Sequence, residues 1–74
     1  MSAITVRPVI KLTINGETQE VSATTVFDLI EELGLHPKGT IVERNLEIVD
    51  LATYRETVLA NGDVLELVRF VGGG

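Results

Sequence analysis

Apolar and polar residues alternate along residues 9–15, and this period of two predicts a β-strand with one buried face. The residues that share the buried face are Ile10, Leu12 and Ile14. Asn15-Gly16 follows at once and is a strong signal for a two-residue hairpin turn, because both central positions of a type I′ turn need a positive φ. The shorter and more polar stretch 17–21 is therefore predicted to form the returning strand.

The spacing of the apolar residues then changes to three and four, which predicts an amphipathic helix. Its apolar stripe consists of Val26, Leu29, Ile30 and Leu33. Thr25 and Asp28 have the spacing of a capping box, with Asp in place of the usual Glu. Gly34 stands where a residue with left-handed backbone would end the helix, and Pro37 prevents the helix from starting again.

The second half of the chain predicts shorter elements. We expect a strand in residues 39–44, a brief strand in residues 46–49, a helical turn in residues 50–56 and a last strand in residues 64–71. Tyr54 is expected to pack at the edge of the core with its hydroxyl in water, and Val58 and Leu59 are both expected to return to the core. The order of elements predicts an α+β fold, in which one helix packs across a mixed sheet of four to five strands and the last strand lies beside the first.

The two faces of the last strand can be assigned by parity. Glu66 is not expected to face so small a core, because an unpaired buried carboxylate is strongly destabilising. Leu65 and Leu67 are then predicted to face the helix, while Val68 and Phe70 face outward. An exposed apolar pair is a candidate docking surface, although one or two exposed apolar residues are also ordinary on proteins.

The sequence ends in Gly72-Gly73-Gly74, three residues that no core requires. Without side chains, this tail is predicted to be mobile and thin enough to enter a narrow channel. It presents the α-carboxylate of Gly74, which becomes reactive once ATP has converted it to an acyl adenylate. The chain has no Walker-type phosphate loop and no G-x-G-x-x-G motif, so the ATP is expected to be held by a partner enzyme.

Composition and charge narrow the classes of function. Seventy-four residues fit one domain, which we divide into an N-terminal extension that is a candidate for disorder (1–8), a folded domain (9–71) and the flexible tail (72–74). With 11 acidic and 6 basic residues and a net charge of −5, nucleic acid is not an expected partner. One histidine and no cysteine predict no metal site, no disulfide and no thiol catalysis. No segment predicts a signal peptide or a membrane span, and we expect a cytoplasmic location.

Three segments of the chain together resemble one known family. They are Asn15-Gly16-Glu17, the stretch from Thr25-Val26-Phe27-Asp28 to Leu33-Gly34-Leu35, and residues 57–74 with Asn61-Gly62-Asp63 and the closing Val71-Gly72-Gly73-Gly74. These segments look like ThiS, the family of sulfur carrier proteins of thiamine biosynthesis. The resemblance covers residues 9–74 and implies a ubiquitin-like β-grasp fold. It also implies that the protein is a protein co-substrate and not an enzyme.

The resemblance implies a specific chemistry for Gly74. An E1-like adenylyltransferase (ThiF-like) would adenylate its carboxylate with ATP and magnesium, so no cofactor is expected on this chain. Sulfur from a donor such as a cysteine desulfurase would replace AMP to give a thiocarboxylate, and thiazole synthase (ThiG-like) would take that sulfur for the thiazole ring. Gly72 and Gly73 would be the part of the tail that the activating enzyme recognises, and Val68 and Phe70 would belong to the docking face.

Other interpretations of the same tail stay open. The small subunit of molybdopterin synthase also ends in Gly-Gly and carries sulfur as a thiocarboxylate. Carriers for other sulfur pathways and ubiquitin-like covalent protein modifiers use the same activated end, and a plain interaction domain with an inert tail is the remaining alternative. These carriers and modifiers all use the same activated end, so chemistry alone does not separate them, and only the detailed resemblance favours thiamine biosynthesis.

Overall fold

The computed structural model describes residues 8–70, which form a five-stranded mixed sheet with one α-helix packed across it. In chain order the elements are β1 (Ile10–Ile14), β2 (Glu17–Val21), α1 (Val26–Glu32), β3 (Thr40–Arg44), β4 (Glu47–Ile48) and β5 (Val64–Arg69), with 3₁₀ turns at Pro37–Gly39 and Leu51–Thr53. The strands lie side by side in the order β2-β1-β5-β3-β4. This arrangement confirms the predicted α+β architecture and the predicted pairing of the last strand with the first.

The first hairpin forms as its sequence predicts. Strands β1 and β2 are antiparallel, and Ile14 lies opposite Glu17 across the turn. Asn15 and Gly16 have φ values of 49° and 83°, which are the positive angles that a two-residue turn of this type requires. The turn therefore fixes the register that keeps the apolar face of β1 towards the core.

Helix α1 begins at the predicted capping box. The Thr25 hydroxyl accepts a hydrogen bond from the Asp28 backbone N–H, and the Asp28 carboxylate accepts one from the Thr25 N–H, both at 3.2 Å. Gly34, with φ of 75°, follows the Leu33 cap and ends the helix. These local signals let α1 lay its stripe on the sheet, where Val26, Leu29 and Ile30 are buried.

The core lies between α1 and one face of the sheet. Its buried apolar members are Leu12, Ile14, Val21, Ala23, Val26, Leu29, Ile30, Val42, Tyr54, Leu59, Leu65 and Leu67. Leu59 is buried as predicted, but the prediction for Val58 is wrong, since this side chain is exposed. Val58 forms an isolated antiparallel bridge with Thr25, and neighbouring residues in an extended chain point to opposite sides.

The prediction that the hydroxyl of Tyr54 lies in water is also wrong. The residue is only 4% exposed, and its hydroxyl donates a hydrogen bond of 2.7 Å to the backbone carbonyl of Thr40. The chain before it makes the 3₁₀ turn at Leu51–Thr53, which turns the ring inward while Leu51 stays exposed. Burial raises the pKa of Tyr54 above its ordinary value, because the charged phenolate would lose its hydration.

The ends of the predicted elements differ little from the observed ones. β4 is two residues shorter than predicted, and β5 ends at Arg69, with Phe70 following it as an exposed residue. Of the predicted N-terminal extension, only Pro8 falls within the described residues, while Val71 and the tail 72–74 fall outside them. The division into extension, domain and tail therefore stays a prediction. In residues 8–70, no helix has the length and hydropathy needed to cross a bilayer.

Candidate functional site

Strand β5 lies in the middle of the sheet and leads directly towards the C-terminal glycines. It pairs in parallel with β1, where Ile14 lies opposite Leu65, and antiparallel with β3 from Leu65 to Arg69. Its faces match the predicted parity, since Leu65 and Leu67 are buried while Val68 and Phe70 are 57% and 68% exposed. The strand thus has one face fixed in the core and one exposed face.

The open face of β5 is extended by a residue that sequence analysis did not identify. Ile41 of β3 lies directly opposite Val68, and its side chain is exposed on the same face. Phe70 continues the parity of Val68, and its backbone N–H donates to the carbonyl of Gly39 at 2.7 Å. Ile41, Val68 and Phe70 together form an exposed apolar surface, which we call the docking face after the role predicted for Val68 and Phe70. The alternation around buried Thr40 and Val42 was the signal that could have identified Ile41.

The middle of β5 is held by the side chain of Asn15. β1 ends at Ile14, but the Asn15 Oδ1 accepts a hydrogen bond from the Leu67 N–H at 2.8 Å and its Nδ2 donates to the Leu67 carbonyl at 3.2 Å. The Asn15 N–H also donates to the Leu65 carbonyl at 2.9 Å. This side chain therefore continues the β1–β5 ladder past the hairpin turn and fixes the part of β5 next to the docking face.

The start of β5 is held by a polar cluster around Asp63, which is 7% exposed. The Oδ2 atom of Asp63 accepts from Arg44 Nε and from the Ala60 N–H, both at 2.8 Å, and its Oδ1 accepts from Asn45 Nδ2 at 3.0 Å. Asn45 also accepts a hydrogen bond from the Val64 N–H at 2.9 Å. The cluster therefore connects the β3–β4 turn to the first residue of β5.

The environment of Asp63 changes its ionisation. Burial by itself would raise the pKa of this carboxyl. The hydrogen bonds from Ala60, Asn45 and Arg44, together with the charge of Arg44, outweigh burial and hold the pKa of Asp63 below its ordinary value of 3.8. The charged form of Asp63 is thus the one that the fold stabilises.

The last residue of β5 lies next to the loop that follows α1. A small cavity of about 120 Å³ lies there, between Arg69 and Phe70 on one side and Gly34, Leu35 and Thr40 on the other. Arg69 is exposed, although its parity is that of the core, because it stands at the last position of the strand. Gly72, Gly73 and Gly74, the predicted reactive tail, lie outside the described residues. Within residues 8–70, no three His, Asp or Glu side chains come together as a metal site would require.

The sequence and the fold both match proteins of one family. A family model described as the ThiS family matches residues 12–74. The sulfur carrier protein ThiS of Bacillus subtilis is 48% identical over 50 residues, which cover 68% of this chain and 76% of that protein. The crystal structure of the thiamine biosynthesis protein ThiS from Geobacter metallireducens has a TM-score of 0.74 at 29% identity, over 88% of this chain and all of that one. The predicted ubiquitin-like β-grasp fold is confirmed by this similarity.

Similar segments also occur inside much longer proteins. The thiazole synthase of Paramagnetospirillum magneticum is 49% identical over 65 residues, and that of Magnetococcus marinus is 42% identical over the same length. These matches cover 86% of this chain but only 20% of either thiazole synthase. The chain therefore spans about a fifth of the length of these two relatives.

Proposed function

Since the chain belongs to the ThiS family, we propose that it is a sulfur carrier protein of thiamine biosynthesis, acting as a protein co-substrate whose Gly74 carboxylate carries the sulfur. The observation that carries the proposal is that the family match runs through residue 74, so that the glycines belong to the matched pattern. The fold agrees with this role, because β5 exposes the docking face immediately before the tail.

The proposed chemistry takes place on a partner's ATP. In the first step, a carboxylate oxygen of Gly74 attacks the α-phosphorus of ATP and pyrophosphate leaves, which gives an acyl adenylate. In the second step, a sulfide-level sulfur nucleophile attacks the carbonyl carbon and AMP leaves with one of the original oxygens, which gives a thiocarboxylate. An E1-like adenylyltransferase would hold the ATP and magnesium. A donor such as a cysteine desulfurase would supply the sulfur as a persulfide, from which a thiol reductant would release the sulfide that attacks in the second step.

The contribution of this chain is to present the tail in a reachable form. The docking face would hold the activating enzyme against β5, while Gly72 and Gly73 would pass through its channel with no side chain to obstruct them. Four residues separate Phe70 from the end of Gly74, so an extended tail reaches about 13 Å beyond the docking face. That length allows the acyl group to react in a site that the domain itself does not enter.

Thiazole synthase is the sulfur acceptor that the comparisons favour. In the two thiazole synthases named above, a segment similar to this chain accounts for a fifth of the protein. A segment joined to an enzyme in one chain meets it at a high effective concentration, so such a fusion is expected between functional partners. The fusion favours thiamine biosynthesis over the molybdopterin pathway and over protein modification. The cytoplasmic location of the protein stays a prediction.

The experiment is to incubate the full chain with an E1-like adenylyltransferase, magnesium, ATP and sulfide, and to measure the intact mass. The proposal expects a mass gain equal to the replacement of one oxygen by one sulfur, located by fragmentation to Gly74. The matched control omits sulfide, in which case only the adenylate or the unchanged chain should be found. A Gly74 carboxylate that stays unmodified with the complete mixture would contradict the proposal, and stable adducts on lysines of other proteins would favour a protein modifier instead.

A further inference from the structure

Two glutamates lie directly opposite each other on the outer face of the sheet. The antiparallel register of β3 and β5 pairs Glu43 with Glu66. This pair lies two residues along the strands from the pair of Ile41 and Val68 in the docking face. Directly opposed residues on one face have Cβ atoms about 5 Å apart, and like charges in this position are destabilising. A sheet that keeps such a pair in its centre carries a repulsion that its own folding does not require.

No cation in the described residues relieves this repulsion. The ion pair found within residues 8–70 joins Arg44 to Asp63 on the other side of the strand. Lys11 is on the outer face of β1, but the register that pairs Thr13 with Val64 puts it four residues from Glu66 along the strands, or about 13 Å. Across the sheet, the next neighbour of Glu43 is the exposed apolar Ile48.

The two carboxylates share a shallow depression with aliphatic walls. It has a volume of about 410 Å³ and is lined by Glu43, Glu66, Asn45, Leu46 and Val64. Leu46 is 89% exposed and has φ of 73°, a backbone angle that bulky residues rarely adopt. The positive φ angles of Asn45 and Leu46 are those of the two-residue β3–β4 hairpin turn, which holds the exposed leucine next to the two opposed carboxylates.

We propose that this depression receives a basic side chain of the E1-like activating enzyme, an inference that rests on the proposed function. The aliphatic stem of an arginine or lysine would lie against Leu46 and Val64, and its charged head would reach Glu43 and Glu66. Arginine fits best, because its planar fork can bond two carboxylates at once. The depression lies on the same face as Ile41 and Val68, so one partner covers both and the charge pair fixes its register on β5.

A local effect of Glu43 and Glu66 on partner binding can be distinguished from the effect of the overall acidity of the chain. The net charge of −5 would attract any basic surface and would respond equally to the loss of any carboxylate. A receiving site for one side chain responds only to Glu43 and Glu66. Glu31 is the matched control, since it is exposed on α1, on the opposite side of the sheet, and its neutralisation changes the net charge by the same amount.

The test compares the wild type, Glu43→Gln/Glu66→Gln and Glu31→Gln as substrates of the E1-like adenylyltransferase with magnesium, ATP and sulfide. For the double variant, the KM for the carrier is expected to be about tenfold higher than for the wild type, with kcat unchanged. Added salt should raise the KM of the wild type, and it should raise the KM of the double variant much less. Its Tm is expected to rise by roughly 1–5 °C, because the repulsion in the free domain is removed. Glu31→Gln is expected to stay within about twofold of the wild-type KM.

A second variant reverses the charge at one of the two positions. Glu66→Lys creates an attractive pair with Glu43, so it should stabilise the free domain and raise the KM further than neutralisation does. An unchanged KM in both variants overturns the inference, and so does an equal rise in Glu31→Gln. A wild-type chain that is never converted to the thiocarboxylate overturns the proposed function as well, whereas normal conversion with an unchanged KM overturns this inference alone.

Discussion

The side-chain amide of Asn15 bonds both backbone groups of Leu67, with its Oδ1 2.8 Å from the Leu67 nitrogen and its Nδ2 3.2 Å from the Leu67 oxygen. A turn residue thereby takes the place of a further residue of β1 and completes the ladder along the middle of β5. The same residue has φ of 49° in the hairpin turn. One asparagine thus sets the direction of the first hairpin and the position of the strand that leads to the tail.

Asn15→Gly separates these two roles, because glycine adopts a positive φ readily but has no side-chain amide. We expect the free energy of unfolding to fall by about 1–3 kcal/mol, since a partly buried backbone group of Leu67 loses its partner. Asn15→Asp keeps the acceptor for the Leu67 N–H but not the donor, and it should lose less. Urea unfolding of the three proteins measures this order, and equal stability of Asn15→Gly and the wild type would contradict it.

The lowered pKa of Asp63 leads us to expect that the stability of the protein falls in acid. Its pKa is lower in the folded state than its ordinary value of 3.8, so the unfolded chain binds the proton first. The stability that Asp63 supplies is fully present above that value and is lost as the pH falls towards the folded pKa. Asp63→Asn should therefore be less stable than the wild type at pH 7 and show a smaller decline in unfolding free energy between about pH 5 and pH 2. Identical acid dependence of the two proteins, measured by urea unfolding at each pH, would contradict this role.

Phe70→Asp tests the docking face. The side chain is 68% exposed, so the change should leave the Tm within about 3 °C of the wild type. Binding to the activating enzyme should weaken about tenfold or more, because a charge replaces an apolar contact. Val58→Asp is the matched control, since Val58 is 60% exposed and lies outside the docking face. Isothermal titration calorimetry measures both affinities, and a variant that unfolds would show that the assigned parity of β5 is wrong.

Deletion of Gly73 and Gly74 tests the separation of tail and domain. β5 ends at Arg69, so the shortened chain should keep its Tm to within about 2 °C and its affinity for the activating enzyme to within about tenfold. Thiocarboxylate formation should be abolished, because the new terminus no longer reaches the partner's ATP. Intact mass spectrometry and thermal unfolding measure the two properties, and a large loss of stability would show that the glycines support the fold.

Local signals in the sequence predicted most of the fold correctly. Asn15-Gly16, the capping box of Thr25 and Asp28, and Gly34 each act within a few residues, and each forms as predicted. The parity of β5 was also predictable, because the cost of burying Glu66 leaves only one arrangement. These features need no knowledge of distant contacts.

The hydrogen bonds that sequence analysis missed all depend on partners far along the chain. The amide of Asn15 meets Leu67, 52 residues later, and Asp63 meets Arg44, 19 residues earlier. Tyr54 can be buried because its hydroxyl donates a hydrogen bond to the Thr40 carbonyl. Residue type shows that each group can form a hydrogen bond, but only the assembled sheet shows which group it bonds.

The parallel pairing of β1 with β5 has a consequence for synthesis on the ribosome. Thr13 can meet Val64 only after the intervening residues have left the exit tunnel, so the central pair of strands closes late. A nascent chain that stops before Arg69 has no complete β5 and exposes the edges of β1 and β3 instead. Such fragments would be susceptible to proteolysis. Folded molecules would therefore be limited to chains that contain the complete β5, the strand to which the activating enzyme is proposed to bind.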